Sequence, residues 1–146
     1  MSRKMEIIAE RANFSAGNLG GLDANRLTEY AVVNPADGSP FPGKVFLAES
    51  LKASGMEVSF QVMPPHMGMP FFHKHRRNEE MYIVLKGSGE FEVDGEVAAI
   101  REGSVVRIAP DGSRSWKNTG SEPMVMLCIQ GVAGSLTAFT GSDGIC

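Results

Sequence analysis

The chain has 146 residues, 42% apolar and 21% charged, with a formal net charge of −3, which is enough for one globular domain with a real core. No basic block supports nucleic-acid binding: Arg76-Arg77 is the densest basic pair, and Glu79-Glu80 offset it one residue later. The apolar runs are too short to span a bilayer, and the charged start Ser2-Arg3-Lys4-Met5-Glu6 leads into no long apolar segment, so no membrane partner and no signal peptide are expected.

Residues 1–43 are weakly patterned. Glu6 to Phe14 reads as a short helix or a strand, Ala16 to Gly21 as loop, and Asn34 to Gly43 as a turn-rich connector. From Lys44 onward the pattern changes to short strands. Val45 to Leu51 is predicted as one. Met56, Val58, Phe60 and Val62 alternate with Glu57, Ser59 and Gln61, as in a half-buried strand. Pro64, Pro65 and Pro70 make the next stretch a loop, since proline cannot donate to a sheet ladder. Glu80 to Leu85 is a strand stopped by Gly87-Ser88-Gly89, and Asp94-Gly95 joins Glu90–Val93 to Glu96–Ile100 as a two-residue hairpin. Ser104 to Ile108, Ser115 to Asn118 and Pro123 to Gln130 complete seven or eight strands, with Pro110-Asp111-Gly112 turning the chain. The tail after Gly131 is small and polar, with Phe139 its only aromatic residue. Such spacing, without an amphipathic helix of useful length, predicts an all-β sandwich or barrel.

Two of the three histidines, His73 and His75, are separated by one residue. On an extended strand they share a face, because side chains alternate. Glu80 follows five residues after His75 and can return a carboxylate to the same point. Two neutral imidazoles and a carboxylate form a ligand set for a divalent first-row metal with positions left open. The alternative for Glu80 is a surface salt bridge to Arg76 or Arg77. Glu79 has the opposite parity and is left to solvent. His66, between prolines, is a loop histidine that could complete a four-ligand site. Cys128 and Cys146 read as two reduced thiols in a cytoplasmic protein. Of the nine methionines, Met56, Met63, Met67, Met69 and Met81 crowd towards the histidines, where they read as core filler or as a soft pocket lining.

Gly68, His73, His75, Glu80 and Gly87, followed by Gly103, Pro110, Gly112 and Asn118, resemble the two sequence motifs of the cupin superfamily, specifically its small single-domain members. The resemblance covers roughly residues 45–130. The fold it implies is a double-stranded β-helix, a cupin-like jelly-roll barrel over 44–131. Residues 1–43 form an arm and linker packing on it, and 132–146 form a tail. The six-residue gap from Glu80 to Gly87 selects Glu80 over Glu79 as the implied ligand. One position departs from the family. Where it places a fourth ligand, a histidine, this chain has Ser115 counting from Gly112, or Arg114 counting back from Asn118. Neither replaces an imidazole.

Two consequences compete. Either His73, His75 and Glu80 hold the metal alone, or the barrel keeps only a pocket. An inward Arg114 would clamp an anionic ligand through a bidentate fork. Tyr82 has the parity of Glu80 and would project into the mouth with it, or else fill the core. Trp116 would stack on a ligand ring or cap the barrel, and Phe71 and Phe72 would wall the pocket. Gln130 shares parity with Cys128 and Met126 and faces either side. The functional expectation is a divalent-metal centre of iron, manganese, nickel, zinc or copper. It would act on or bind a small, anionic organic ligand by dioxygenase, decarboxylase or isomerase chemistry; no catalytic residue is assigned. The alternative is a metal-free binding or sensor barrel. A further reading is a purely structural homodimer subunit, paired through the N-terminal arm.

Overall fold

The computed structural model describes residues 2–138 and 140–146; Phe139, noted above as the tail's aromatic, lies outside the described residues. In chain order the elements are β1 (Glu6–Glu10), β2 (Ser15–Asn18), α1 (Ala24–Leu27), β3 (Ala31–Val33), β4 (Pro40–Pro42), β5 (Lys44–Phe46), α2 (Ala48–Leu51), β6 (Glu57–Met63), β7 (Asn78–Lys86), β8 (Ser88–Val93), β9 (Glu96–Arg101), β10 (Val105–Ile108), β11 (Arg114–Asn118), β12 (Met124–Val132) and α3 (Thr140–Asp143). A five-stranded sheet, β10-β7-β12-β6-β5, faces a three-stranded sheet, β11-β8-β9, and every pairing is antiparallel. This is the all-β jelly-roll architecture of a double-stranded β-helix.

The core lies between the two sheets. The large sheet contributes Met63, Tyr82, Val84, Ile108, Met124, Met126 and Cys128; the small sheet contributes Phe91, Ile100 and Trp116. Tyr82, Phe91 and Trp116 pack as an aromatic trio with centroids 4.8, 5.1 and 5.4 Å apart, a tilted geometry that such rings prefer over a face-to-face stack. A second cluster covers the opposite face of the large sheet. There Leu27 of α1 packs with Val62 and Val125, flanked by Val45, Phe60 and Leu85. The strand 57–63 is therefore covered on both faces, and its polar residues Ser59 and Gln61 are buried between the sheets.

Turn chemistry sets the register. Asp94 and Gly95 both have positive φ, 51° and 86°, the pattern of a type I′ hairpin, whose twist matches that of the strands it joins. Gly87 links β7 to β8 at φ 88°, where a Cβ would come within 2.8 Å of the Met124 Cα. Only glycine satisfies both demands.

Several expectations for the first half of the chain are corrected. Ala16–Gly21 is not all loop, since β2 pairs Ser15–Asn18 with β1. Within Glu6–Phe14, offered as helix or strand, Glu6–Glu10 is strand and the rest is the turn into β2, and the 34–43 connector ends in β4, paired with β3. Val45–Leu51 is not one strand. It breaks after Phe46 into the single turn α2, because Glu57 Oε1 on β6 accepts from the amides of Leu47 (3.0 Å) and Ala48 (2.9 Å), capping that turn as an N-terminal acceptor does. The partner is a residue ten positions away, so no local pattern announces it. Met63 is core and Met69 packs against it, but Met56, Met67 and Met81 are exposed.

Candidate metal centre

His73 and His75 are not in a continuous strand. They lie on an extended segment stitched to the β10–β11 turn and the start of β11. His73 N donates to Arg114 O (3.1 Å), Arg114 N donates to His73 O (2.9 Å), and His75 N donates to Pro110 O (3.0 Å). Alternation still applies: both histidines are half-buried while Lys74 between them is exposed. Glu80 enters from β7. The donor atoms of His73, His75 and Glu80 all lie within 4.8 Å of one another. His75 Nε2 is 3.0 Å from Glu80 Oε1.

Register shows which side chains share the concave face of the large sheet. One transverse row runs Ile108, Glu80, Gln130, Glu57; the next runs Val106, Tyr82, Cys128, Ser59, Phe46; the third runs Val84, Met126, Gln61, Lys44. Cross-strand partners point to the same face. This answers the open question on Gln130, which sits beside Glu80 and accepts from Asn78 Nδ2 at 3.0 Å. Tyr82 is 2% exposed and donates its hydroxyl proton to Glu80 Oε2 at 2.8 Å. It fills the core and meets the carboxylate at once.

Arg114, Trp116 and Asn118 point between the sheets, opposite the inward β8 residues Val93, Phe91 and Gly89. Of the two residues that the motif leaves open, Arg114 is the one that faces the interior, beside Glu80. Ser115 faces the other way, with its Oγ 3.5 Å from Met69 O. The Arg114 guanidinium is fully buried and bound inside the protein. Nε lies 3.1 Å from Glu80 Oε2, and Nη1 donates to Gly112 O at 2.8 Å, with longer contacts to Pro110 O and His73 O. The Nε contact is an ion pair without good hydrogen-bond alignment, and Nη2 has no partner. Neither Arg76 nor Arg77 holds Glu80; Arg114 does, from the opposite sheet. Glu79 is not simply left to solvent, since it pairs with Arg107 at 2.7 Å.

One expected pocket residue, Phe72, and the candidate fourth ligand, His66, lie elsewhere. Phe72 is exposed and lines an outer cleft of about 300 Å³ with His66, Ser115 and Lys117, a cleft that none of the metal-set residues lines. His66, at φ 59°, belongs to the same outer surface and is not grouped with His73, His75 and Glu80. Phe71 instead meets His73 edge-on at 5.9 Å, and Trp116 meets it at 5.9 Å from inside. Asn118 does not line the site: its Nδ2 donates to Met63 O (2.9 Å) and Glu122 O (2.7 Å), tying β11 to the end of β6.

The ring of His73 suits metal ligation. Its Nδ1 is buried with no hydrogen-bond partner. Burial lowers its pKa, and the Glu80 charge opposes this without reversing it. The neutral form, which carries the donor lone pair, is therefore favoured at pH 7. Lys44 was missed in the sequence, because nothing local says that it faces inward. Burial pushes its amine below the usual lysine value, while Cys128, Glu80 and Glu57 act in the opposite sense.

Burial also raises two acids beside Glu80. The Cys128 thiol is pushed up to about 12, with the Glu80 charge adding to the effect, and the Tyr82 phenol lies well above its ordinary value of 10.0. A raised pKa means that the unfolded chain releases the proton first. The stability these groups hold is intact below about pH 9 and is lost as pH rises above it. Lys44 has the opposite sign, since its lowered pKa makes rising pH up to 10.5 favour the fold. The loss is therefore expected to show most clearly above pH 10.5, at about 1.4 kcal/mol per pH unit for each titrating group. Urea midpoints across the alkaline range should fall less steeply in Tyr82→Phe/Cys128→Ala than in the parent. Parallel curves would refute the assignment.

Comparison with known proteins agrees with this architecture. A family model described as "Cupin domain" matches residues 59–130. A crystal structure of a cupin protein from Bacteroides fragilis is 43% identical, covering 70% of this chain and 87% of that one, with a TM-score of 0.69. An uncharacterized protein of Methanocaldococcus jannaschii is 27% identical over 104 residues, 69% of this chain and 82% of that protein. The fold also matches a predicted oxalate decarboxylase from Thermotoga maritima at 23% identity and a TM-score of 0.58, covering 70% of this chain and 90% of that one. With this fold and a relative at 43% identity over 70% of this chain and 87% of that one, the chain belongs to the cupin superfamily.

Proposed function

We propose that the barrel binds a divalent first-row transition metal through His73, His75 and Glu80 and takes a small anionic organic ligand at the open coordination positions. The convergence of the three donor groups within 4.8 Å supports this reading. Two imidazoles and one carboxylate suit iron, manganese, nickel, zinc or copper. When bound, such a metal supplies Lewis acidity or an oxygen-binding centre, which fits dioxygenase, decarboxylase or isomerase chemistry. Tyr82 would orient Glu80 through its hydroxyl. Arg114, held by Glu80 and by backbone carbonyls, would fix the carboxylate rather than clamp the ligand by itself.

A metal-free binding barrel is the second reading. The Arg114–Glu80 ion pair favours it, because Glu80 already has a cation beside it. Metal analysis of protein purified without a histidine tag separates the two. The parent is expected to hold about one equivalent per chain, and a His73→Ala/His75→Ala variant almost none. Equal metal in both would sink the metal centre. The β1–β2 hairpin exposes Ile7, Ile8 and Phe14, an apolar surface that supports pairing of two copies through the N-terminal arm.

A further inference from the structure

We propose that Lys44 and Gln61 form a second recognition point inside the barrel, which takes a carboxylate at the far end of the ligand and so makes that ligand a small dicarboxylate. The inference rests on the metal reading above for the ligand's first end. Lys44 and Gln61 are direct cross-strand partners on the concave face, in the row that continues through Met126 and Val84. Both have unspent polar capacity. Among the described residues no carboxylate forms an ion pair with Lys44, whose amine lies 5.0 Å from the Phe46 ring centroid. Gln61 is 3% exposed, its Nε2 reaches only the Met69 sulfur at 3.5 Å, and its Oε1 is buried with no partner.

A half-buried ammonium with no ion-pair contact is unfavourable, and the more distant charges of Glu80 and Glu57 offset this only in part. The lowered pKa of Lys44 expresses that cost, and an anion beside it would remove it. A carboxylate accepts from the ammonium, and a neighbouring hydroxyl or water can donate to Gln61 Oε1. The cations open to a ligand then lie at two places, the metal at one and Lys44 at the other. A doubly charged acid matches both, while a monocarboxylate leaves one unmatched.

Calorimetry on the zinc-loaded protein tests this with the series malonate to adipate, each against the monocarboxylate of equal length, and with zinc content measured on the same samples. One diacid should bind more tightly than its monoacid by about tenfold. Lys44→Met should erase that preference with zinc content unchanged, and Lys44→Arg should keep part of it; thermal melts establish that both variants fold. Bound zinc with no diacid preferred, or a preference that survives Lys44→Met, would overturn the inference and leave the metal centre standing. Should no zinc bind, the metal reading fails. The same titrations in chelator then decide Lys44 alone: a Lys44-dependent preference upholds its carboxylate site, and its absence overturns that too.

Discussion

In the metal-free protein, Arg114→Ala is expected to cost about 3–5 kcal/mol of folding stability. Glu80 is 4% exposed and Arg114 0%, so truncating the arginine strands a charged carboxylate in the interior. His75 and Tyr82 would still contact Glu80, but no full positive charge would remain beside it. The backbone carbonyl of Gly112 would also lose its donor. The surface pair Arg107–Glu79, at a shorter 2.7 Å, is the control. Arg107→Ala should cost at most about 1 kcal/mol, because solvent screens it and both side chains are mobile. Combining Arg114→Met with Glu80→Gln should recover much of the loss, since a missing charge pair is far cheaper than a broken one. Urea unfolding of the four proteins, the parent included, in chelator measures all of this. A cost below about 1 kcal/mol for Arg114→Ala would mean that the pair does not hold the site together.

Arg114→His is expected to tighten metal binding by at least about tenfold. Arg114 is buried beside Glu80 and is the main-chain partner of His73. The substitution removes a fixed positive charge next to Glu80 and offers a fourth neutral donor. Both changes favour a divalent cation, the first by reducing like-charge repulsion and the second by completing a four-ligand set. Competition between the protein and a chelating dye for zinc reads the difference. An Arg114→His protein that binds zinc no better than the parent would show that the guanidinium neither opposes the metal nor occupies a ligand position.

The motif histidines, the carboxylate after them and the Asp94-Gly95 hairpin were legible because they are local facts. Spacing of one residue puts two side chains on one face wherever the backbone is extended, and this held for His73 and His75 although their segment is not a regular strand. Prolines exclude ladder positions whatever surrounds them, so the 64–70 loop was also readable. The strand 57–63 was visible as an alternation, but its polar members Ser59 and Gln61 are the ones between the sheets. Its apolar members Phe60 and Val62 are covered from outside by α1 and its neighbours, while Met63 joins the core between the sheets.

The amino-acid order alone determined the barrel class, the family and the three donor groups. It also left one position open between Ser115 and Arg114. Tertiary structure decided that Arg114 turns inward and pairs with Glu80, that Gln130 faces the mouth, that Phe72 and His66 belong to an outer cleft, and that Lys44 looks into the barrel. The physical reason is that alternation along a strand sets only relative facing. Absolute facing comes from register against the neighbouring strands and from what covers each side of the sheet, and those contacts join residues far apart in the chain.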